Sequence, residues 1–226
     1  MGIVLNILGG IIAGFFAAGI YGWIRRPRLD IALLPQMSLT SRNGSWVATQ
    51  HVRVTNRELP RFLRRFLRRN DAHSCYVWVM LYEPEPLGPG VSGARYDRAN
   101  WVRVYRHPTT RSLERGMLIP SGEMVGQFID LADGEVADIA VVEKTTGESV
   151  CVILPWGERL EIGKYVLKLE VGCSGLPHLV KWFLLENKET ATDPNSLARS
   201  FVLKEIKEKE IEKHLTSASS LQTNKG

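Results

Sequence analysis

Two hydrophobic patterns divide this chain. Residues 3–24, IVLNILGGIIAGFFAAGIYGWI, are apolar on every side of a helix and carry no charge, with Asn6 the one strongly polar side chain. At 1.5 Å per residue the stretch reaches about 33 Å, enough for a hydrocarbon layer of about 30 Å. Tyr21 and Trp23 fall at the headgroup level, Arg25 and Arg26 follow, and Pro27 stops the helix. This predicts one transmembrane anchor with its basic flank over residues 1–28. A cleaved leader would place basic residues before a shorter apolar core and end in small residues, and a myristoyl signal would need Ser or Thr where Asn6 stands.

Beyond Pro27 the period becomes two. Strands are predicted over 29–35, 46–55, 73–83, 101–105, 125–131, 136–143, 149–154, 164–173 and 178–186. Val52 and Val54 alternate with Arg53 and Thr55, and Tyr165, Leu167, Leu169 and Val171 alternate with Lys164, Lys168 and Glu170; such strands have one buried and one wet face. The 73–83 strand sets Cys75, Val77, Val79 and Leu81 on one side and Tyr76, Trp78, Met80 and Tyr82 on the other, which predicts a central strand covered on both sides. Turns are expected at Asn43-Gly44, 84–93, Ser121-Gly122, Asp133-Gly134, Thr146-Gly147 and 172–177. Asn43-Gly44-Ser45 also matches a glycosylation acceptor, but Asn-Gly is the preferred pair of a tight hairpin. Many short strands with little helix between them argue for a mainly β fold, an antiparallel sandwich over residues 29–188. Residues 189–226 are expected to be a linker, a charged helix opened by Asp193-Pro194 with Leu197, Phe201, Ile206, Ile211 and Leu215 as its stripe, and a disordered tail from 216.

One period-3.6 segment interrupts the strands. In residues 60–70, Phe62, Leu63, Phe66 and Leu67 occupy a helical sector of about 140°, and Arg61, Arg64, Arg65, Arg68 and Arg69 occupy the other side. Three readings stand. The helix caps the sandwich with its Phe and Leu in the core, or lies in a lipid headgroup layer with its arginines on anionic lipid, or binds nucleic acid. Nucleic acid is the poorest fit, because the aromatics lie opposite the arginines rather than among them.

Charge sharpens this picture. The net +5 is not spread out: Arg25, Arg26 and Arg28 carry +3, residues 57–69 hold six Arg and one Glu, and the remainder sums to −3. Two local basic patches point to a local anionic surface rather than to a basic domain. With three arginines after the anchor and none before it, the positive-inside rule predicts a cytoplasmic domain. On the anchor, Gly10, Gly14, Ala18 and Gly22 recur at i+4 with Asn6 one step earlier. Small residues in a row let helix backbones approach, so self-association or a multi-pass partner is the functional reading; the frequency of Gly and Ala in membrane helices is the ordinary one.

Candidate chemistry adds little. No phosphate-cradling loop, nucleophile elbow, zinc-protease or Cys-x-x-Cys pattern occurs, and no cofactor is expected. Cys75, Cys151 and Cys173 read as buried thiols, with a Cys75–Cys151 or Cys75–Cys173 bridge as the alternative. His73 with Cys75, Cys173 with His178, and Asp130, Asp133 and Asp138 are the weak metal candidates. Trp101, Arg103, Tyr105 and Arg106 form an aromatic and basic strand, a recognition surface or a charge-protected edge.

Residues 160–171, Leu160-Glu161-Ile162-Gly163-Lys164-Tyr165 and the alternating strand that follows, resemble the late-strand region of immunoglobulin-like domains. The resemblance implies a tyrosine corner, with the Tyr165 hydroxyl bonded to backbone upstream. The strands at 46–56 and 73–83 after an N-terminal anchor are similar to uncharacterised membrane-anchored sandwich proteins of prokaryotes. Cys75 and Trp78 share one strand, unlike antibody domains, which puts an inter-sheet disulfide in doubt. The reading is a non-enzymatic, single-pass binding or scaffolding module. An externally displayed adhesion or envelope module, and an accessory subunit of a membrane enzyme or transporter, are the alternatives.

Overall fold

A computed structural model describes residues 2–82, 95–103, 124–154 and 157–211; side chains are described from residue 13 of the first helix onward, and not at 95, 96, 102, 103 and 124–126. Helix α1 runs Gly2–Arg25. Two antiparallel sheets follow. The first contains β1 (Leu29–Leu33), β2 (Ser38–Arg42), β3 (Ser45–Asn56), β6 (Trp101–Arg103), β7 (Met124–Gly126), β9 (Val136–Thr145), β10 (Cys151–Ile153) and β11 (Glu158–Leu160), along the path β1-β3-β9-β10-β11 with β2 on β3 and β6 on β9. The second contains β4 (Ala72–Tyr82), β5 (Arg95–Arg98), β8 (Ile129–Leu131), β12 (Gly163–Gly172), β13 (Leu179–Asn187) and β14 (Phe201–Ile206), ordered β14-β13-β12-β4-β5 with β8 on β4. The chain is therefore mainly β and sandwich-like, with few helices.

The alternating positions build the core. Val52, Val54, Ile139 and Val141 of the first sheet and Val77, Val79, Leu167, Leu169 and Phe183 of the second are all fully buried in one cluster. Trp101 fills the space between the sheets, and its indole N–H donates to the Cys75 carbonyl at 3.1 Å. Asn43 and Gly44, at φ 52° and 81°, make the expected two-residue hairpin, since left-handed backbone at both positions matches the twist of the flanking strands. The Tyr165 hydroxyl donates to the Glu161 carbonyl at 3.1 Å, the corner that the 160–171 pattern implies.

Several expectations need correction. The single strand at 125–131 is two: β7 pairs with β6 in one sheet and β8 with β4 in the other, so the chain changes sheets between them. β2, β5 and β11 lie in segments with no clear alternation. The C-terminal helix is only α3 (Pro194–Ser200), properly capped by Asp193, whose carboxylate accepts from the Asn195 and Ser196 amides. It stops because Phe201 and Leu203 enter the core as part of β14, which pairs with β13 from Asn187↔Phe201 to Trp182↔Ile206 and carries the sheet beyond residue 188. The tail from 212, Tyr105, Arg106 and the turns at 84–93 and Ser121-Gly122 lie outside the described residues.

The thiols divide. Cys75 and Cys173 form a disulfide that joins β4 to the residue after β12, two neighbours in one sheet. Only Cys151 keeps the buried-thiol reading, and burial pushes it up to about 12, which makes it inert.

A buried histidine gives the sandwich a pH dependence. His51 on β3 is buried, and burial lowers its pKa from 6.5 despite the counteracting Asp138 carboxylate, itself held by Arg53 at 2.7 and 2.8 Å. The unfolded chain therefore takes up a proton at a higher pH than the folded one. Stability is full above 6.5 and falls as pH drops from there through the depressed folded value. Urea midpoints measured across that window should decline in the native protein, and His51→Gln should remove most of the decline.

Candidate membrane-facing surface

The C-terminal end of α1 and the last residues of the basic segment, 43 to 45 residues apart in sequence, meet in the fold. The chain returns from β3 through residues 57–70 before entering β4, and its last part is held against the end of α1. The Arg25 guanidinium donates to the Arg68 carbonyl at 3.0 Å, the Asn70 amide donates to the Arg25 carbonyl at 2.7 Å, and the Arg69 guanidinium donates to the Arg26 carbonyl at 2.6 Å. The last two of these bonds take up carbonyls that a helix leaves open at its C-terminus. Arg26 also reaches the Gly175 carbonyl at 3.3 Å, and the Arg28 amide bonds the Asn56 side chain at 3.2 Å. The basic flank thus joins α1 to the sandwich and is not a free linker.

The segment is not the ten-residue helix expected. Helix α2 covers only Arg61–Arg64, and a turn follows. A helix this short is not self-supporting in water, and only the leucine part of its apolar face is partly covered. Phe62 is 72% and Phe66 79% exposed, while Leu63 and Leu67 are half-buried. The capping reading fails on these exposures: the residue that enters the core is Leu59, just before the segment.

The arginines also separate. Arg69 is 5% exposed and has a lowered pKa, through burial first and the nearby Arg28 second, so it is a structural strut rather than a surface group. Arg64 pairs with Glu58 and bonds the Leu59 carbonyl at 2.6 Å. Arg61, Arg65 and Arg68 are exposed and form no ion pair among the described residues. At the end of α1 the cations lie over aromatic rings: Arg25 is 5.2 Å from the Tyr21 ring centre and Arg28 4.8 Å from that of Trp23.

The described part of α1 stands clear of the sandwich. Phe15, Phe16, Ile20, Tyr21 and Trp23 are exposed, and a shallow apolar groove lined by Phe15, Phe16, Gly19, Ile20 and Trp23 runs along it. Gly14, Ala18 and Gly22 face open space, and Asn6 and Gly10 lie where side chains are not described. Among the described residues no helix is long and apolar enough to cross a membrane.

Most side chains of the metal candidates have other partners. Cys75 and Cys173 are bonded to each other. Asp130 accepts from the Ser74 amide, Asp133 from the Arg69 amide, and Asp138 is buried against Arg53. No group of three potential ligands occurs among the described residues. A polar cluster that sequence did not reveal lies on the outer face of the second sheet. His178 links Glu170 to the Tyr76 hydroxyl, and Arg98 sits 4.8–5.4 Å from the rings of Tyr76, Trp78 and Phe128. Its members come from β4, β5 and β12 and from Phe128 and His178 just before β8 and β13, brought together by strand pairing, so spacing gives no signal for it. The outer aromatics of β4 expected to lie under a second layer are half-buried.

Compared with family models, curated proteins and solved structures, the chain matches none of them.

Proposed function

We propose that the chain is a single-pass, non-enzymatic membrane protein whose immunoglobulin-like sandwich serves as a binding or scaffolding module at the bilayer surface. One observation carries the reading: a 24-residue helix, uncharged from Ile3 to Ile24, leaves the domain with its described apolar side chains bare and its basic end hydrogen-bonded to the domain. A bare helix of this kind in water sacrifices the stabilisation of burying large apolar side chains, roughly 1.5–3 kcal/mol each; lipid restores it. The partner is a protein reached through the sandwich or through the Asn6, Gly10, Gly14, Ala18, Gly22 face. Full-length protein extracted in mild detergent should sediment as a dimer or with a stoichiometric partner. Recovery as a lone monomer counts against the scaffolding reading.

The three arginines after the anchor favour a cytoplasmic domain. The Cys75–Cys173 disulfide favours a second reading, an externally displayed envelope or adhesion module, because disulfides persist mainly in oxidising compartments. An exposed reporter, Lys188→Cys, separates them. In intact cells a membrane-impermeant maleimide leaves it unlabelled if the domain is cytoplasmic and labels it fully if the domain is outside.

A further inference from the structure

The exposed aromatics of the basic loop find a purpose in their position. Phe62 and Phe66 are among the most exposed large apolar side chains described in the sandwich, and they sit on a loop whose end is bonded to the point where α1 meets the domain. The same loop presents Arg61, Arg65 and Arg68 with no ion pair to a described acidic residue, and Arg26 and Arg28 are exposed beside it. Two bare phenylalanines on a loop that also carries exposed arginines, at the exit of an apolar helix, match a bilayer interface in chemistry: rings among the upper acyl chains, guanidinium groups on phosphates.

We propose that the 61–68 loop is a second membrane contact, specific for anionic headgroups, that pins the sandwich against the bilayer in a fixed orientation. The proposal rests on the anchored reading above and adds to it a lipid preference and a set of residues. Phe62 and Phe66 enter the interface. Arg61, Arg65 and Arg68 select negative charge. Arg64 and Arg69 hold the loop in shape through Glu58, Leu59 and Arg26 and take no part in lipid binding. Nucleic acid fits less well, since a polyanion in water would leave both rings exposed.

The test uses the full-length chain in nanodiscs, either of phosphatidylcholine alone or of equal parts phosphatidylcholine and phosphatidylglycerol. Phe66→Cys carries an environment-sensitive fluorophore, and Lys188→Cys is the distant control. In discs with phosphatidylglycerol the label at 66 should shift to the blue and be quenched by lipid bearing a shallow nitroxide, and the control should not respond. In phosphatidylcholine both effects should largely vanish. Each arginine near an anionic surface is worth about a fivefold change in partition, so Arg61→Gln, Arg65→Gln and Arg68→Gln together should shift the docked-to-undocked ratio on the order of a hundredfold. Unchanged unfolding midpoints in that variant exclude a folding defect as the cause. A chain that enters discs while its label at 66 stays aqueous in both lipids overturns the loop contact and leaves the anchor standing. A chain that fails to enter discs overturns the anchor and this proposal with it. A label that responds to duplex DNA and not to phosphatidylglycerol overturns the lipid assignment.

Discussion

Placing arginine at both Ala13 and Ala17 should keep the chain out of the membrane fraction. The positions lie near the middle of the uncharged stretch, one helical turn apart. Arginine at a helix centre costs about 2.5–3.5 kcal/mol on an insertion scale, so the pair costs about 5–7. The eleven Ile, Leu, Val and Phe residues between Ile3 and Ile24 contribute about 0.3–0.6 kcal/mol each, or about 3–7 in sum. The two totals are of one size, which places the double variant at or past the point of expulsion. Ala13→Leu with Ala17→Leu changes the same positions and adds apolar surface; that variant should stay in the pellet. Retention of the arginine pair in the pellet of a high-speed spin, at native levels, would show that something other than insertion holds the protein there.

Asn187→Leu should destabilise the sandwich by about 3–5 kcal/mol, the cost of leaving a buried charge without its partner. The Asn187 carbonyl oxygen accepts from the Lys144 ammonium at 2.6 Å, and its amide donates to the carbonyls of Ser149, Leu160 and Glu161 at 2.8, 3.1 and 3.0 Å. Lys144 is 1% exposed and otherwise bonds only the Glu189 carbonyl among the described residues. One side chain at the end of β13 thus joins both sheets at this edge of the sandwich. For a domain of this size the loss lowers Tm on the order of 10 °C, measurable by calorimetry. Adding Lys144→Met removes the stranded charge and should recover a large part of it. Burial lowers the Lys144 pKa from 10.5, with Cys151 and Glu189 opposing the shift. The unfolded chain therefore binds its proton more readily, and stability falls as pH drops from 10.5 through the depressed folded value.

The parts of the fold that sequence foretold are those where one residue type answers to one local constraint. Val52 and Val54 on β3 and Leu167 and Leu169 on β12 alternate because one face of each strand is buried, and Asn43-Gly44 turns because the backbone there is left-handed. What was not foretold depends on distant chain. Phe201 and Leu203 read equally well on a helical stripe; the waiting edge of β13 makes them a strand. Leu63 and Leu67 fit an amphipathic helix, but Phe62 and Phe66 on the same face stay exposed, and the chain is drawn back by bonds to Arg25 and Arg26. The basic patch of the candidate site was visible as a charge run. Its division into exposed and structurally bonded arginines was not, because Glu58, Leu59 and the end of α1 decide it. The disulfide, one of two bridges that stood as the alternative to three buried thiols, depends on the pairing of β4 with β12.

Alkaline carbonate extraction of membranes holding the full-length chain, with the Ala13→Arg, Ala17→Arg variant alongside, tests the anchor most directly. The native chain should remain in the pellet at high pH and the variant should appear in the supernatant. Native protein washed free by carbonate would contradict a helix embedded in lipid.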